Sequence, residues 1–447
     1  MSKKQLGVIF GSRSCEREVS IISALQLMRH ADPEKYDVIP VYLDESGSWY
    51  TGESLKQIQT YQPFRPDAPG VIRVFPDLTP GSGALLTLEK GKGLFARESL
   101  RAAARVDVFV VVMHGMNGED GTLQGMLDLM NIPFTSADVG ASALGMDKIL
   151  MKQFFRGGDL PVLPSVWFAR SAFEKDPDQV MNAVEKELSW PVYVKPARLG
   201  SSIGVSRAEN REELREAMEL AFEYDRRVLV EKGLIKPIEL NCSVLGYDDE
   251  VEASPIEMPL SGEDFLDFRE KYMASGGSKG MASLHRVLPA PIEDELRDRI
   301  QEMSCRIFRM MDCRGVVRID YMFDRDSGEI YITEINTIPG SMAFYLWENA
   351  GMPYRRLIDR LVDLAEKAHQ DRNQADYAYT SDILRGVSLG AKGSGGAKGF
   401  GGAKGFGGTK GNAGNYGAAG SKGGLKSEET VNSVAASAAK SFGMKGF

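Results

Sequence analysis

The stretch from Gly315 to Gly340, GVVRIDYMFDRDSGEIYITEINTIPG, restricts the possible folds more than any other. Two apolar-rich runs, Val316–Phe323 and Ile330–Ile335, flank the turn cluster Asp326-Ser327-Gly328, so the pattern predicts a β-hairpin. Side chains alternate faces along a strand, which sets Glu334 and Asn336 on one face. A turn centred on Ser327 places Asp320 opposite Glu334 and Arg318 opposite Asn336. Val317, Ile319 and Ile335 then form the other, apolar face. Two carboxylates, an amide and a guanidinium held this close need compensation. A hard divalent cation supplies it, because Mg²⁺ takes oxygen ligands and completes its shell with phosphate oxygens and water. The same residues could instead form a surface salt-bridge ladder on an edge hairpin. A slip of one residue in the register would scatter the cluster.

The chain has 447 residues, room for two or three domains with substantial cores. Its net charge of −8 is unevenly placed: the tail from Ser388 carries +6 and the remainder −14. An acidic body argues against nucleic acid as its partner. Cys15, Cys242, Cys305 and Cys313 show no zinc spacing and no disulfide framework, which fits reduced thiols in a cytoplasmic protein. No apolar run is long enough for a signal peptide or a membrane span.

Leu6–Phe10 reads as a strand, followed by a small-residue turn and a helix over Arg17–His30 with Val19, Ile22, Leu25 and Met28 at helical spacing. This is the start of an α/β unit. Glu16 sits at the turn, where its carboxylate could hold a ligand's ammonium group or simply favour the helix start. Tyr36–Leu43 is a second strand; residues 51–100 read as irregular. Val106–Met113 is apolar on both faces, as in a buried parallel strand, and ends at His114, a position where α/β sheets bind ligands. Ile132–Thr135 reads as a short strand and Val139–Phe155 as one helix carrying Asp147 and Lys148.

Trp190–Lys195 reads as a strand leading into the Gly/Ser loop Pro196–Val205, whose backbone N–H groups could fold over phosphates although it is no Walker A loop. Arg211–Tyr224 is a charged helix; Arg227–Val230 and Glu239–Leu245 are strands. Residues 261–283, with Lys271 and Tyr272, form a polar glycine-rich segment of the kind that makes lids. Helices are expected over Ile292–Met311 and Tyr354–His369. Beyond Ser388, GGAKGF occurs at 395–400 and 401–406, and GGTKGN at 407–412. Such a segment buries too little apolar area to offset its ordering entropy, so a disordered tail is expected, or a tether for an acidic partner.

Assembled, the body of the chain, roughly residues 4–367, resembles the D-alanine–D-alanine ligases of the ATP-grasp superfamily. The resemblance rests on CEREVS (15–20), HGMNGEDGTLQG (114–125), MDK (146–148), KPARLGSSIGV (195–205), EKGL (231–234), EKY (270–272), RIDYMF (318–323) and EINTIPGS (334–341), in the family's order. It implies an α/β (α+β ATP-grasp) fold of three domains. These are a Rossmann-like N-terminal domain at 1–138, a central subdomain at 139–235 and a C-terminal subdomain at 236–370; the tail occupies 387–447.

The resemblance further implies an ATP-dependent ligase that joins two D-alanines through an acyl phosphate, for peptidoglycan precursor synthesis. Lys148, Lys195, Glu231, Lys232, Leu234 and Glu239 match its ATP-binding positions. Asp320, Glu334 and Asn336 match its ligands for two Mg²⁺ or Mn²⁺. Glu16, Ser201, Tyr272, Arg318 and the Gly340 N–H match its catalytic set. Glu16 would hold the first substrate, with His114 nearby; Lys271 and Tyr272 lie on its lid. At Tyr345 the family commonly has a serine that binds the second substrate's carboxylate, so a D-Ser, D-lactate or other acceptor is an alternative. A non-catalytic nucleotide-binding scaffold working through its tail is another. The resemblance also implies a cytoplasmic homodimer with no membrane or nucleic-acid partner.

Overall fold

The computed structural model describes residues 2–90, 98–260 and 286–376. The segment carrying Lys271 and Tyr272, and the Gly/Lys-rich tail, lie outside the described residues.

The first sheet has the order β6-β5-β4-β3-β2-β1-β7. Its parallel part is β1 (Lys4–Gly11), β2 (Tyr36–Leu43) and β7 (Val108–Val111). All four β7 residues are buried, as their unbroken apolar run predicts. The helix Arg17–His30 lies where the spacing of Val19, Ile22, Leu25 and Met28 puts it. The expected strand at Ile132–Thr135 is reduced to a single bridge between Phe109 and Phe134.

Residues 51–100 are not irregular throughout. They continue the sheet as an antiparallel ribbon, through β3 (Trp49–Thr51), β4 (Ile72–Pro76), β5 (Ala84–Lys90) and β6 (Glu98–Arg105). β4 and β6 are largely exposed, so their side chains carry little of the alternation that reveals a half-buried strand.

A second, antiparallel sheet has the order β10-β9-β11-β8: β8 (Ser165–Ala169), β9 (Val192–Pro196), β10 (Ser206–Ala208) and β11 (Arg227–Lys232). The helix Arg211–Tyr224 covers it, burying Leu214, Ala217, Met218, Ala221 and Phe222 at helical spacing. Asn210 caps that helix by accepting from the N–H groups of Glu212 and Glu213.

The third sheet, order β13-β12-β16-β17, combines β12 (Ile238–Tyr247), β13 (Glu250–Ala253), β16 (Gly315–Phe323) and β17 (Ile330–Asn336). A two-stranded piece, β14 (Met258–Pro259) with β15 (Arg286–Val287), adjoins it. The helix Asp294–Met310 buries Ile300, Ile307 and Phe308 in the core of this sheet. The last helix, Tyr354–Gln374, returns to the first sheet: Leu357, Ile358 and Leu361 share a core with Val8 and Phe109. The anticipated helix over Val139–Phe155 is two helices, Val139–Met146 and Lys148–Gly157. Asp147 breaks it by leaving helical geometry and capping the second helix, accepting from the Ile149 and Leu150 N–H groups.

The hairpin forms as expected, with one difference. Next to the turn, Phe323 pairs with Ile330 and Tyr321 with Ile332, one residue out of step with a turn centred on Ser327. Thr333 is then left without a partner, a β-bulge, and beyond it Asp320 faces Glu334 and Arg318 faces Asn336. The Thr333 hydroxyl donates to the Asp320 carbonyl at 2.8 Å and fastens the bulge. Ile332 and Ile335 therefore both reach the core although three residues apart, and Glu334 and Asn336 share the opposite face with Asp320.

Deleting one residue from a regular strand turns every later side chain to the other face. Deleting Thr333 should not. It lets β17 zip into a regular ladder that still sets Glu334 against Asp320, at a cost of about 1–2 kcal/mol for the lost hydroxyl bond and the changed twist. Thermal unfolding is the check: a cooperative transition a few degrees below wild type is expected, and loss of cooperative folding would contradict the bulge assignment.

Candidate active site

The exposed-face residues of β16 and β17 draw together as the sequence anticipates. Arg318 donates to both oxygens of Asp320, from Nε at 2.7 Å and Nη2 at 2.8 Å, and Asn336 Nδ2 donates to Asp320 Oδ2 at 2.9 Å. Lys148 Nζ stands 3.7 Å from Glu334 Oε2. Burial works against the Arg318 charge, but Asp320 outweighs it and raises the guanidinium's pKa well above its ordinary value.

Among the described residues no three His, Cys, Asp or Glu side chains form a metal-binding group. The candidate set here is two carboxylates and an amide, all able to present oxygen, and this donor chemistry fits Mg²⁺ bound together with phosphate oxygens. Within the chain, Arg318 and Lys148 supply the counter-charge to Asp320 and Glu334.

The central sheet brings the lysines. Lys195, at the end of β9, lies 2.5 Å from Glu231 Oε1 on β11. Lys152, one turn after Lys148 on the same helix, pairs with the other oxygen of Glu231. Lys152 and Glu231 are almost wholly buried, each with 2% of its side chain exposed. Burial alone would raise the Glu231 pKa, yet the two ammonium groups pull it down to about 2. The same burial lowers Lys152, whereas Glu231 and Glu334 keep Lys195 raised. Lys152 was not among the candidates. Its only sequence signal is its place one turn from Lys148, and a helical lysine usually marks a solvated face. Lys148 Nζ also donates to the Leu199 carbonyl at 2.7 Å, tying the helix to the Gly/Ser loop. Glu231, Lys232, Leu234 and Glu239 follow the chain from the last strand of the central sheet into β12, along the join of the two sheets.

The N-terminal domain supplies Glu16. Ser201, from the Gly/Ser loop, donates its hydroxyl to Glu16 Oε1. Two glycines let backbone crowd the same carboxylate: a Cβ on Gly115 would stand 2.4 Å from Glu16 Oε2, and one on Gly200 2.8 Å from it. Glu119, within the HGMNGEDGTLQG motif but not singled out from it, accepts from the N–H groups of Gly115 (2.8 Å) and Ile338 (3.0 Å). Burial, then the charges of Glu16 and Glu334, raise its pKa to about 8.

His114 is buried. Its Nδ1 lies 2.9 Å from the Ile338 carbonyl and its Nε2 3.2 Å from Ser23 Oγ. Ser23 Oγ also accepts from the Ser341 N–H at 3.1 Å. His114 and Ser23 thus clamp the loop that carries Gly340 onto the N-terminal domain. Ser341, Met342 and Ala343 hold left-handed backbone there, which L-residues adopt only when the surroundings impose it.

Tyr345 is buried, and its hydroxyl donates to Glu257 Oε2 at 2.9 Å. That bond engages the hydroxyl expected to stand in for the family's serine.

A domain with a parallel sheet extended by an antiparallel ribbon, joined to two antiparallel sheets that meet over lysines and paired carboxylates, is the ATP-grasp architecture. Comparisons with known proteins give the same answer. Residues 5–137 match the family described as D-ala D-ala ligase N-terminus, and residues 154–363 the one described as D-ala D-ala ligase C-terminus. A D-alanine–D-alanine ligase of Natranaerobius thermophilus is 36% identical over 385 residues, covering 85% of this chain and 100% of that protein. Among solved structures, the D-alanine–D-alanine ligase from Coxiella burnetii superposes with a TM-score of 0.68 at 26% identity, covering 84% of this chain and 97% of the other. The VanG D-Ala:D-Ser ligase from Enterococcus faecalis gives a TM-score of 0.68 at 32% identity, covering 81% and 100%. The chain belongs to the D-alanine–D-alanine ligase family.

Burial, aided by the Arg318 charge, lowers the His114 pKa from its ordinary 6.5 to about 4. Below pH 6.5 the unfolded chain takes up a proton that the folded chain refuses. The stability that His114 contributes is therefore complete above pH 6.5 and is lost as pH falls through 4, up to about 3 kcal/mol in all. Urea unfolding of wild type and His114→Gln between pH 7 and pH 4 should show the wild type losing more stability; parallel pH profiles would contradict the assignment.

Proposed function

We propose that this chain uses ATP to join two D-alanines, through a D-alanyl phosphate, into the D-alanyl-D-alanine of peptidoglycan precursors. The observation that carries this reading is the pair of bonds to the Glu119 carboxylate, from the N–H of Gly115, which packs against Glu16, and from the N–H of Ile338, two residues beyond Asn336. They tie an ammonium-binding carboxylate to the end of a phosphate- and metal-binding strand. An amino acid whose ammonium rests on Glu16 directs its own carboxylate at that strand.

Lys148 and Lys195 hold the phosphates as compact point charges. Asp320, Glu334 and Asn336 would hold Mg²⁺, which neutralises charge growing on the phosphoryl group as it leaves ATP. The first D-alanine carboxylate then takes the γ-phosphoryl group. Arg318 and the Gly340 N–H stand where the carbonyl oxygen gathers negative charge during attack by the second amine. Donors fixed in advance, as these are by Asp320 and by the Ser23–His114 clamp, contribute about 3 kcal/mol each to such a step. Ser201 ties the Gly/Ser loop down on Glu16 and helps to keep water from the acyl phosphate.

The set Lys148, Lys195, Asp320, Glu334 and Asn336 converges, which speaks against a non-catalytic scaffold working through its tail. The homodimer, the second metal ion, and the roles of Lys271 and Tyr272 stay part of the proposal on the strength of the resemblance alone.

Glu334→Gln is the cleanest test, because this side chain is 36% exposed and its partner Lys148 keeps its bond to the Leu199 carbonyl. Turnover of ATP with D-alanine should fall at least about a thousand-fold, the loss of roughly 4 kcal/mol of charge stabilisation, at an unchanged melting temperature. Wild-type rates would remove the metal assignment.

A further inference from the structure

Lys152 is a buried charge to which the reaction so far gives no task. It lies one turn after Lys148 on the helix Lys148–Gly157, so both side chains leave that helix on the same side. Its ammonium pairs with Glu231 Oε2, while Lys195 Nζ lies 2.5 Å from Glu231 Oε1. Lys195 stands opposite Leu229, two residues before Glu231, so Lys195 and Glu231 rise from one face of the second sheet. Lys152 and Glu231 each show 2% of their side chains to solvent, and Lys195 shows 11%. Lys195 is therefore the member that a ligand can reach. The charge of Glu334, the hairpin carboxylate beside Lys148, also acts on Lys195.

Two ammonium groups and one carboxylate leave this trio with a surplus of one positive charge. The surplus depends on Lys152. Were Lys195 the sole partner of Glu231, the two would cancel, and an arriving phosphate would meet a neutral pair. To serve the phosphate, Lys195 would have to weaken its hold on Glu231, and a carboxylate left unpaired in the interior is strongly disfavoured. With Lys152 on the other oxygen, Glu231 stays paired whatever Lys195 does. Lys152 and Glu231 are then neutral together, and Lys195 is the spare cation. Fastening the helix to the strand needs only some contact between them; a lysine buried at this depth supplies charge as well.

We propose that Lys152 is a positioning residue for ATP: as the standing counter-ion of Glu231, it leaves Lys195 free to give its charge to the phosphates. The proposal rests on the ligase reading above, in which Lys195 holds those phosphates.

The test is calorimetry of the full chain with ATP and with adenosine, which lacks phosphates, in Mg²⁺ and without D-alanine. The ratio of the two affinities reads the phosphate share of binding. Lys195→Met comes first and should lower the preference for ATP at least about 10-fold, the worth of one charge-assisted hydrogen bond. An unchanged preference there would sink the phosphate role of Lys195 and this proposal with it. Lys152→Met should then lower the preference by about 10-fold as well, with adenosine binding within about 2-fold of wild type. Lys152→Gln should behave alike and guards against poor folding of the first variant. Lys152→Met combined with Glu231→Gln removes both charges, does not restore the ionic tie between helix and strand, and leaves Lys195 a lone cation. It should return the preference to within about 3-fold of wild type. A preference unchanged in Lys152→Met and Lys152→Gln, or a double variant as weak as the single ones, overturns the proposal; the second result would reduce Lys152 to fastening the helix.

Discussion

Everything at this site depends on how the β16–β17 ladder takes up one extra residue. Thr333 interrupts the pairing of β16 and β17, and only beyond that interruption does Glu334 face Asp320. Had the ladder kept its step from the turn, Glu334 would lie opposite Ile319, against a side chain with no solvent exposure, where a carboxylate is strongly disfavoured. The hairpin thus satisfies two demands with one irregularity. Its apolar residues fill the core of the third sheet, and its polar ones gather on the opposite face. Bulges often re-aim side chains next to active sites, and here one sets two carboxylates side by side.

The charges so gathered are balanced in pairs that span separate parts of the chain. Arg318 answers Asp320 within one strand, Lys148 answers Glu334 between two sheets, and Lys152 and Lys195 both answer Glu231. In the last group one buried carboxylate is balanced by two ammonium groups; replacing the carboxylate would leave charge uncompensated in the interior. Its lysines fix the helix that carries Lys148 against the strand that carries Lys195. The N-terminal domain joins through Glu16, held by Ser201, and through the His114–Ser23 clamp on the Gly340 loop. The site therefore needs all three sheets, and no single one of them could assemble it.

Much of this was legible in the sequence because period and spacing carry it. The helices Arg17–His30 and Arg211–Tyr224 begin and end where their patterns say. The bulge was not read, although Ile330, Ile332 and Ile335 break step by one residue and the burial follows that break. A symmetric turn hid it. Other features escaped for physical reasons. The ribbon of β4 to β6 buries little beyond Val74, Ala84 and Leu85, and so lacks alternation. The split at Asp147 came from a cap inside an otherwise helical stretch. Lys152 and Glu257 belong to no short motif; tertiary pairing alone gives them meaning, and pairing over long separations leaves no local trace.

The central claim is that these converging charges let a carboxylate oxygen of D-alanine capture the γ-phosphoryl group of ATP. Isotopic labelling tests this most directly. With D-alanine carrying ¹⁸O in both carboxylate positions, mass spectrometry of the released phosphate should show one ¹⁸O per phosphate and the other retained in the peptide carbonyl. Phosphate free of ¹⁸O, released alongside the dipeptide, would contradict the account.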